Sequence, residues 1–154
     1  MFDTPTLRPA RIDDVRAIVE LLAADQLGAT RDGADDDEGL EPYRRAFEAI
    51  DADPAHLLLV AESGGEIVAT MQLSFLPGLA RRGALRAQIE AVRVRVDQRG
   101  SGLGGELMIW AIEEARRRGC ALVQLTSDKR RTDAHRFYER LGFVASHEGF
   151  KLAL

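Results

Sequence analysis

The stretch Gln98-Arg99-Gly100-Ser101-Gly102-Leu103-Gly104-Gly105 constrains this chain most, because an apolar strand pattern precedes it and an amphipathic helical pattern follows. Glycines let the main chain turn tightly with positive φ and leave its N–H groups unobstructed. A helix that starts at the same point adds unpaired donors and the positive end of its dipole. Such a turn suits a diphosphate. Plain turns, helix caps and several kinds of nucleotide loop share the pattern, so the rest of the chain has to decide among them.

A chain of 154 residues fits one domain, 1–154, and a domain of that size buries roughly 70% of its unfolded surface without staples. No apolar run is long enough to span a bilayer. The start, Met1-Phe2-Asp3-Thr4-Pro5, lacks the basic and apolar character of a secretion signal, and the lone Cys120 forms no internal disulfide, so a cytoplasmic location is expected. A net charge of −4 argues against a broad footprint for nucleic acid or an anionic membrane and suits a small cationic partner.

Leu7 to Ile12 alternates as a first strand, and Asp13 caps a helix whose Val15, Ile18, Val19, Leu21 and Leu22 recur at helical spacing. Residues 28–39 are rich in Gly and Asp and read as a loop, after which Glu41, Pro42 and Tyr43 open a second helix. His56 to Glu62 and Ile67 to Phe75 are strands joined by the hairpin turn Ser63-Gly64-Gly65-Glu66. After a loop over 77–83, Ala84 to Val96 is a long strand feeding the glycine turn, followed by a helix from about Gly102 to Arg118. Leu122 to Thr126 is a short strand and Asp133 begins a helix ending at Leu141-Gly142. Phe143 to Ala145 and Phe150 to Leu154 read as a last hairpin that must add to the main sheet. This order predicts an α/β fold with a mixed sheet of about seven strands flanked by four helices. A dinucleotide-binding βαβ domain places its glycine turn after the first strand; here it comes late, after an antiparallel meander.

The segment Val94 to Gly104 resembles the acyl-CoA loop of the GCN5-related N-acetyltransferases, whose pattern is Arg or Gln, two residues, Gly, one residue, Gly or Ala; Arg99, Gly102 and Gly104 fit it. Farther on, Ala134-His135-Arg136-Phe137-Tyr138-Glu139-Arg140-Leu141-Gly142-Phe143 resembles the family's second signature, Ala-x-x-Phe-Tyr-x-x-x-Gly-Phe. The element order from about Leu7 to the end agrees with that family. The resemblance implies an acetyl-CoA-dependent N-acetyltransferase, with coenzyme A held by the main-chain N–H groups of Arg99, Gly100, Ser101, Gly102, Leu103, Gly104 and Gly105. It also implies a bulged strand that splays from its neighbour, with Val94 and Val96 giving main-chain partners to the pantetheine arm. The position three residues before Ala134, where the family often has a cofactor-contacting Asn, is Arg131.

The reaction such a fold supports is direct attack of an amine on the thioester carbonyl. An alkyl ammonium with a pKa near 10.4 leaves about one molecule in two thousand nucleophilic at pH 7, a penalty of roughly 4.6 kcal/mol, so a base helps. Glu90 lies in the strand Gln88-Ile89-Glu90-Ala91-Val92, where a carboxylate needs a wet cleft or a partner, and the resemblance makes it the base acting through water. By the same resemblance Tyr138 is the acid that protonates the departing thiolate. An acyl-CoA-binding sensor or interaction domain without chemistry, and an enzyme that acetylates proteins, remain alternatives.

His135 reads as a surface helix residue, and His56 and His147 lack metal-ligand spacing, so no metal is expected. Cys120 reads as small-residue packing. The run Asp35-Asp36-Asp37-Glu38, with Asp32 and Glu41, is either a solvated loop or a cation-attracting wall on the side where the family admits its acceptor. Homodimerisation, common in that family, is compatible with the chain, and nothing in the residues shows which surface would pair.

Overall fold

The computed structural model describes residues 4–25 and 27–154. They form two compact units, one reaching Gln124 and the other Leu125–Leu154. The first holds β1 (Thr6–Pro9), α1 (Val15–Ala23), α2 (Asp37–Asp51), β2 (His56–Ser63), β3 (Glu66–Leu76), β4 (Arg86–Val94) and α3 (Leu103–Arg117). β5 (Leu122–Leu125) closes it, and α4 (Thr132–Arg140) belongs to the second unit.

The strands lie in sequence order, β1-β2-β3-β4-β5, and the first three pairings are antiparallel. β5 follows β4 through a helical crossover, the connection that a parallel neighbour requires, so the sheet is mixed. On one face, α1 and α2 pack Val15, Ile18, Val19, Leu40 and Phe47 around Val60. The opposite alternation, Met71, Leu73, Phe75, Ala87 and Ile89, is also buried, and α3 packs against β3 and β4 with Leu103, Leu107, Met108 and Ala111 inward.

An ion pair fixes the entry to α1. Arg8 of β1 grips the buried Asp14 through two bonds of 2.7 and 3.0 Å, and the Arg11 amide adds a third at 2.7 Å. The guanidinium holds the Asp14 carboxyl below the usual range.

Two expectations are corrected. α2 starts a turn earlier than Glu41-Pro42-Tyr43, because Asp36 caps it by accepting from the Gly39 amide at 2.8 Å; Pro42 is tolerated inside the helix. The sheet has five strands among the described residues, not about seven, since residues 143–154 form no strand in their own chain. There the Ser146 amide bonds back to the Val144 carbonyl at 2.9 Å, a three-residue turn that interrupts extension, and Val144, Phe150 and Leu152 stay exposed.

Candidate active site

β4 carries the first feature of the site. Thr70 pairs with Arg93 and Gln72 with Glu90, so two residues, Ala91 and Val92, oppose Met71 alone. This is a β-bulge, and Ala91 takes up the extra residue in the left-handed region at φ 53°. The strand therefore has the bulge that the resemblance implied. Glu90 is exposed on the face that also carries Gln88 and Arg86, opposite Gln72 and Ser74. A row of polar contacts runs across this face: Gln124 Nε2 donates to Gln88 Oε1 at 3.0 Å, and Ser74 Oγ and His56 Nδ1 lie 2.9 Å apart. Arg86 takes part in no ion pair among the described residues, and its guanidinium lies toward Gly78.

The glycine turn is the second feature. β4 ends at Val94; Val96 begins a short 3-10 turn and is exposed, two residues before the strand was expected to stop. Arg95 draws the chain aside there, bonding Asp97 at 2.7 and 2.9 Å and Glu66 at 3.0 Å, which lowers the Asp97 carboxyl pKa. The Val94 carbonyl accepts from Arg99 Nε at 3.2 Å, and the Val96 carbonyl from the Arg99 amide at 3.3 Å. The Ser101 amide turns inward to the Gln98 carbonyl. Gly100 and Gly102 adopt φ of 81° and 87°, and Gly102 caps α3. The first main-chain bond of α3 runs from the Glu106 amide to the Gly102 carbonyl, so the amides of Leu103, Gly104 and Gly105 are its open donors. A Cβ at Gly100, Gly102 or Gly105 would meet nothing within 4 Å, leaving the approach to these donors clear. The amides of Arg99 and Ser101 are bonded within the turn.

Tyr138 lies on α4 in the second unit, half-buried between Phe137 and Phe143, with ring centroids at 5.3 and 6.0 Å. The Phe143 amide bonds the Tyr138 carbonyl at 3.1 Å, so the Gly142 turn folds Phe143 back onto the tyrosine. His135 Nε2 bonds the Asp128 carbonyl at 2.9 Å. Burial pushes the Cys120 thiol up, against Arg118, so it resists ionisation.

The acidic stretch is less available than its composition suggests. Asp36 is a helix cap, Asp37 pairs with Arg16 and Arg44, Glu41 with Arg44, and Asp32 accepts from the Tyr43 hydroxyl at 3.0 Å. Sequence reasoning missed the Gln72, Gln88, Ser74, His56 and Gln124 row. The alternation Arg86-x-Gln88-x-Glu90 was the signal that could have exposed it.

A mixed sheet whose bulged strand feeds a glycine turn and an open helix N-terminus defines an α/β acyltransferase. The chain belongs to the acetyltransferase (GNAT) family, whose model matches residues 16–143. It is 35% identical over 114 residues to the aminoalkylphosphonate N-acetyltransferase of Salmonella typhimurium, covering 74% of this chain and 73% of that one. It is similar to a crystal structure of a transcriptional regulator from Bacillus halodurans, with 46% identity, a TM-score of 0.92 and coverage of 98% and 100%. It is also similar to the glucosamine-6-phosphate N-acetyltransferase of Arabidopsis thaliana, with 26% identity, a TM-score of 0.77 and coverage of 99% and 98%. The protein is accordingly an acetyltransferase.

Proposed function

We propose that the whole chain acts as one N-acetyltransferase domain that moves an acetyl group from acetyl-CoA to the primary amine of a small acceptor, by direct attack in a ternary complex. One observation carries this: the open amides of Leu103, Gly104 and Gly105 sit at the end of a strand that presents Glu90 to solvent. Those amides, with that of Gly102 and the charge of Arg99, hold the diphosphate, while the main chain around Val94 and Val96 flanks the pantetheine arm. Glu90 takes the ammonium proton through water. The amine nitrogen then bonds the carbonyl carbon, the carbon–sulfur bond breaks, the Tyr138 hydroxyl gives its proton to the sulfur, and the surplus proton left on the nitrogen departs through water and restores the tyrosine.

The acidic stretch gives only partial support to a cationic acceptor, because Asp32, Asp36, Asp37 and Glu41 are engaged within the chain. Two of the relatives are named for amines that also carry a phosphonate or a phosphate. Arg86, on the face of β4 that carries Glu90, is the cation suited to such an anionic group. Thiol release from acetyl-CoA, followed across amines with and without a phosphonate, tests the reading. Tight coenzyme A binding with no turnover on any amine would refute it.

A second reading is a coenzyme A-responsive binding domain, favoured by the regulator's name borne by the Bacillus halodurans protein. It requires that Tyr138→Phe and Glu90→Gln leave the biological output intact.

A further inference from the structure

Glu90, Gln88 and Arg86 are successive residues on one face of β4, so they form a line along the strand. The span is regular, because the bulge begins only at Ala91. Four residues of strand put Arg86 about 13 Å from Glu90. The guanidinium lengthens this line. Its Nη2 lies 3.8 Å from the place a Cβ would take at Gly78, two residues past Leu76, which pairs with Arg86. Positive charge gathers at that end: Arg86 and the exposed Arg81 and Arg82 form no ion pair among the described residues. At the other end of the strand, by contrast, Arg93 is bound to Asp25, and Arg95 to Asp97 and Glu66. Between the ends, Gln88 Oε1 accepts from Gln124 Nε2 at 3.0 Å, which leaves the Gln88 amide nitrogen to donate elsewhere.

Resting on amine acetylation with Glu90 as the base, we propose that the acceptor is an extended molecule, its amine at Glu90 and a phosphoryl anion at Arg86, with hydrogen-bonding groups between them over Gln88. One water between Glu90 and the amine takes about 3 Å of the line. Amine and anion therefore stand roughly 10 Å apart or more. A two-carbon spacer bridges only about 4–5 Å and does not reach both ends. The guanidinium fork suits a phosphoryl group, whether phosphate or phosphonate, and the Gln88 amide suits a hydroxyl on the spacer.

The test measures kcat/KM at saturating acetyl-CoA for unbranched ω-aminoalkylphosphonates of graded length, and for amino alcohols of the same lengths. At about 1.25 Å per bond, the wild type should prefer spacers of about seven or eight methylenes. The preference over a two-methylene spacer should be about 10- to 100-fold, the worth of one charge-assisted bond to arginine, and the amino alcohols should show no such optimum. Arg86→Gln should remove the optimum, and Arg86→Lys, which keeps the charge, should restore it in part. Should Arg86→Gln fail to fold, the amino alcohols carry the comparison. An optimum at two or three methylenes, an equal optimum among the amino alcohols, or one that persists in Arg86→Gln would overturn the proposal. No turnover on any amine would instead overturn the acetyltransferase reading beneath it, and the proposal with it.

Discussion

Helix α3 carries a glycine in the left-handed region at each end, and the pair separates ligand binding from folding. Gly102 precedes the helix at φ 87°, and Gly119 follows it at φ 79°; an added Cβ meets nothing within 4 Å at either place. Gly119 closes a Schellman motif, with the Cys120 amide on the Ala115 carbonyl at 2.9 Å and the Gly119 amide on Arg116 at 3.0 Å. Alanine at either position should therefore cost folding about the same, ~1 kcal/mol for holding a Cβ at positive φ. In a chain of this length that lowers Tm by about 2–4 °C. On the proposed function, only Gly102 lies where donors meet the diphosphate. If alanine there displaces one charge-assisted hydrogen bond, worth ~1.5–3 kcal/mol, the Kd for coenzyme A should rise about 10- to 100-fold, while Gly119→Ala leaves it unchanged. Thermal unfolding and calorimetric titration with coenzyme A measure the two effects on the same samples. The reasoning fails if Gly102→Ala binds coenzyme A like the wild type, or if Gly119→Ala weakens it equally.

Tyr138→Phe should lower kcat about 100-fold or more with coenzyme A affinity retained, as expected on losing a general acid; steady-state rates beside a binding isotherm check it, and an unchanged kcat removes the assignment. For Glu90→Gln the loss of rate should grow as pH falls, where the amine most needs deprotonation. A pH–rate profile running parallel to the wild type would assign Glu90 to positioning instead. Glu114 is held down to about 2 by Arg117 and Arg118. Its folded pKa lies below the unfolded one of about 4.3, so its contribution is complete above that value and fades as pH falls toward about 2. Allowing for solvent around Arg117, Glu114→Gln should lose about 1–2 kcal/mol at neutral pH and progressively less in acid; a urea-unfolding difference that ignores pH contradicts this.

Much of the first unit is legible because its determinants are local. The hairpin at Ser63–Glu66 follows from Gly64 and Gly65, which supply φ of 59° and 81°. The end of α3 follows from Gly119. The start of α2 is misread because proline at a helix start is a stronger prior than a capping Asp, although Asp36 holds the Gly39 amide. The tail is misread because the period of residues 150–154 specifies a strand face but no partner to pair with, and so short a segment does not stand alone. At the site, the glycine turn and Glu90 can be read from neighbours in sequence. The contact of Gln88 with Gln124 depends on which strands lie side by side, and no local pattern contains that.

The bulge at Ala91 shows how register shapes the site. In a regular strand, residues 90 and 92 would share a face; the extra residue puts Glu90 and Arg93 opposite Gln72 and Thr70 instead. Arg93 thereby meets Asp25 beyond the end of α1, with Nε 3.0 Å from Oδ2 and both side chains largely buried. One left-handed residue thus brings Arg93, rather than Val92, opposite Thr70 and links the end of α1 to β4. Alanine at φ 53° costs ~1–2 kcal/mol that glycine does not, whereas glycine in a strand normally costs roughly 0.5–1 kcal/mol relative to alanine. Ala91→Gly should therefore leave stability unchanged or raise it by up to about 1 kcal/mol, the reverse of the usual sign, and Ala91→Val should lower it by more than alanine's own cost. Equilibrium unfolding in urea reads both variants. A clear destabilisation by glycine would mean that β4 does not bulge at this residue.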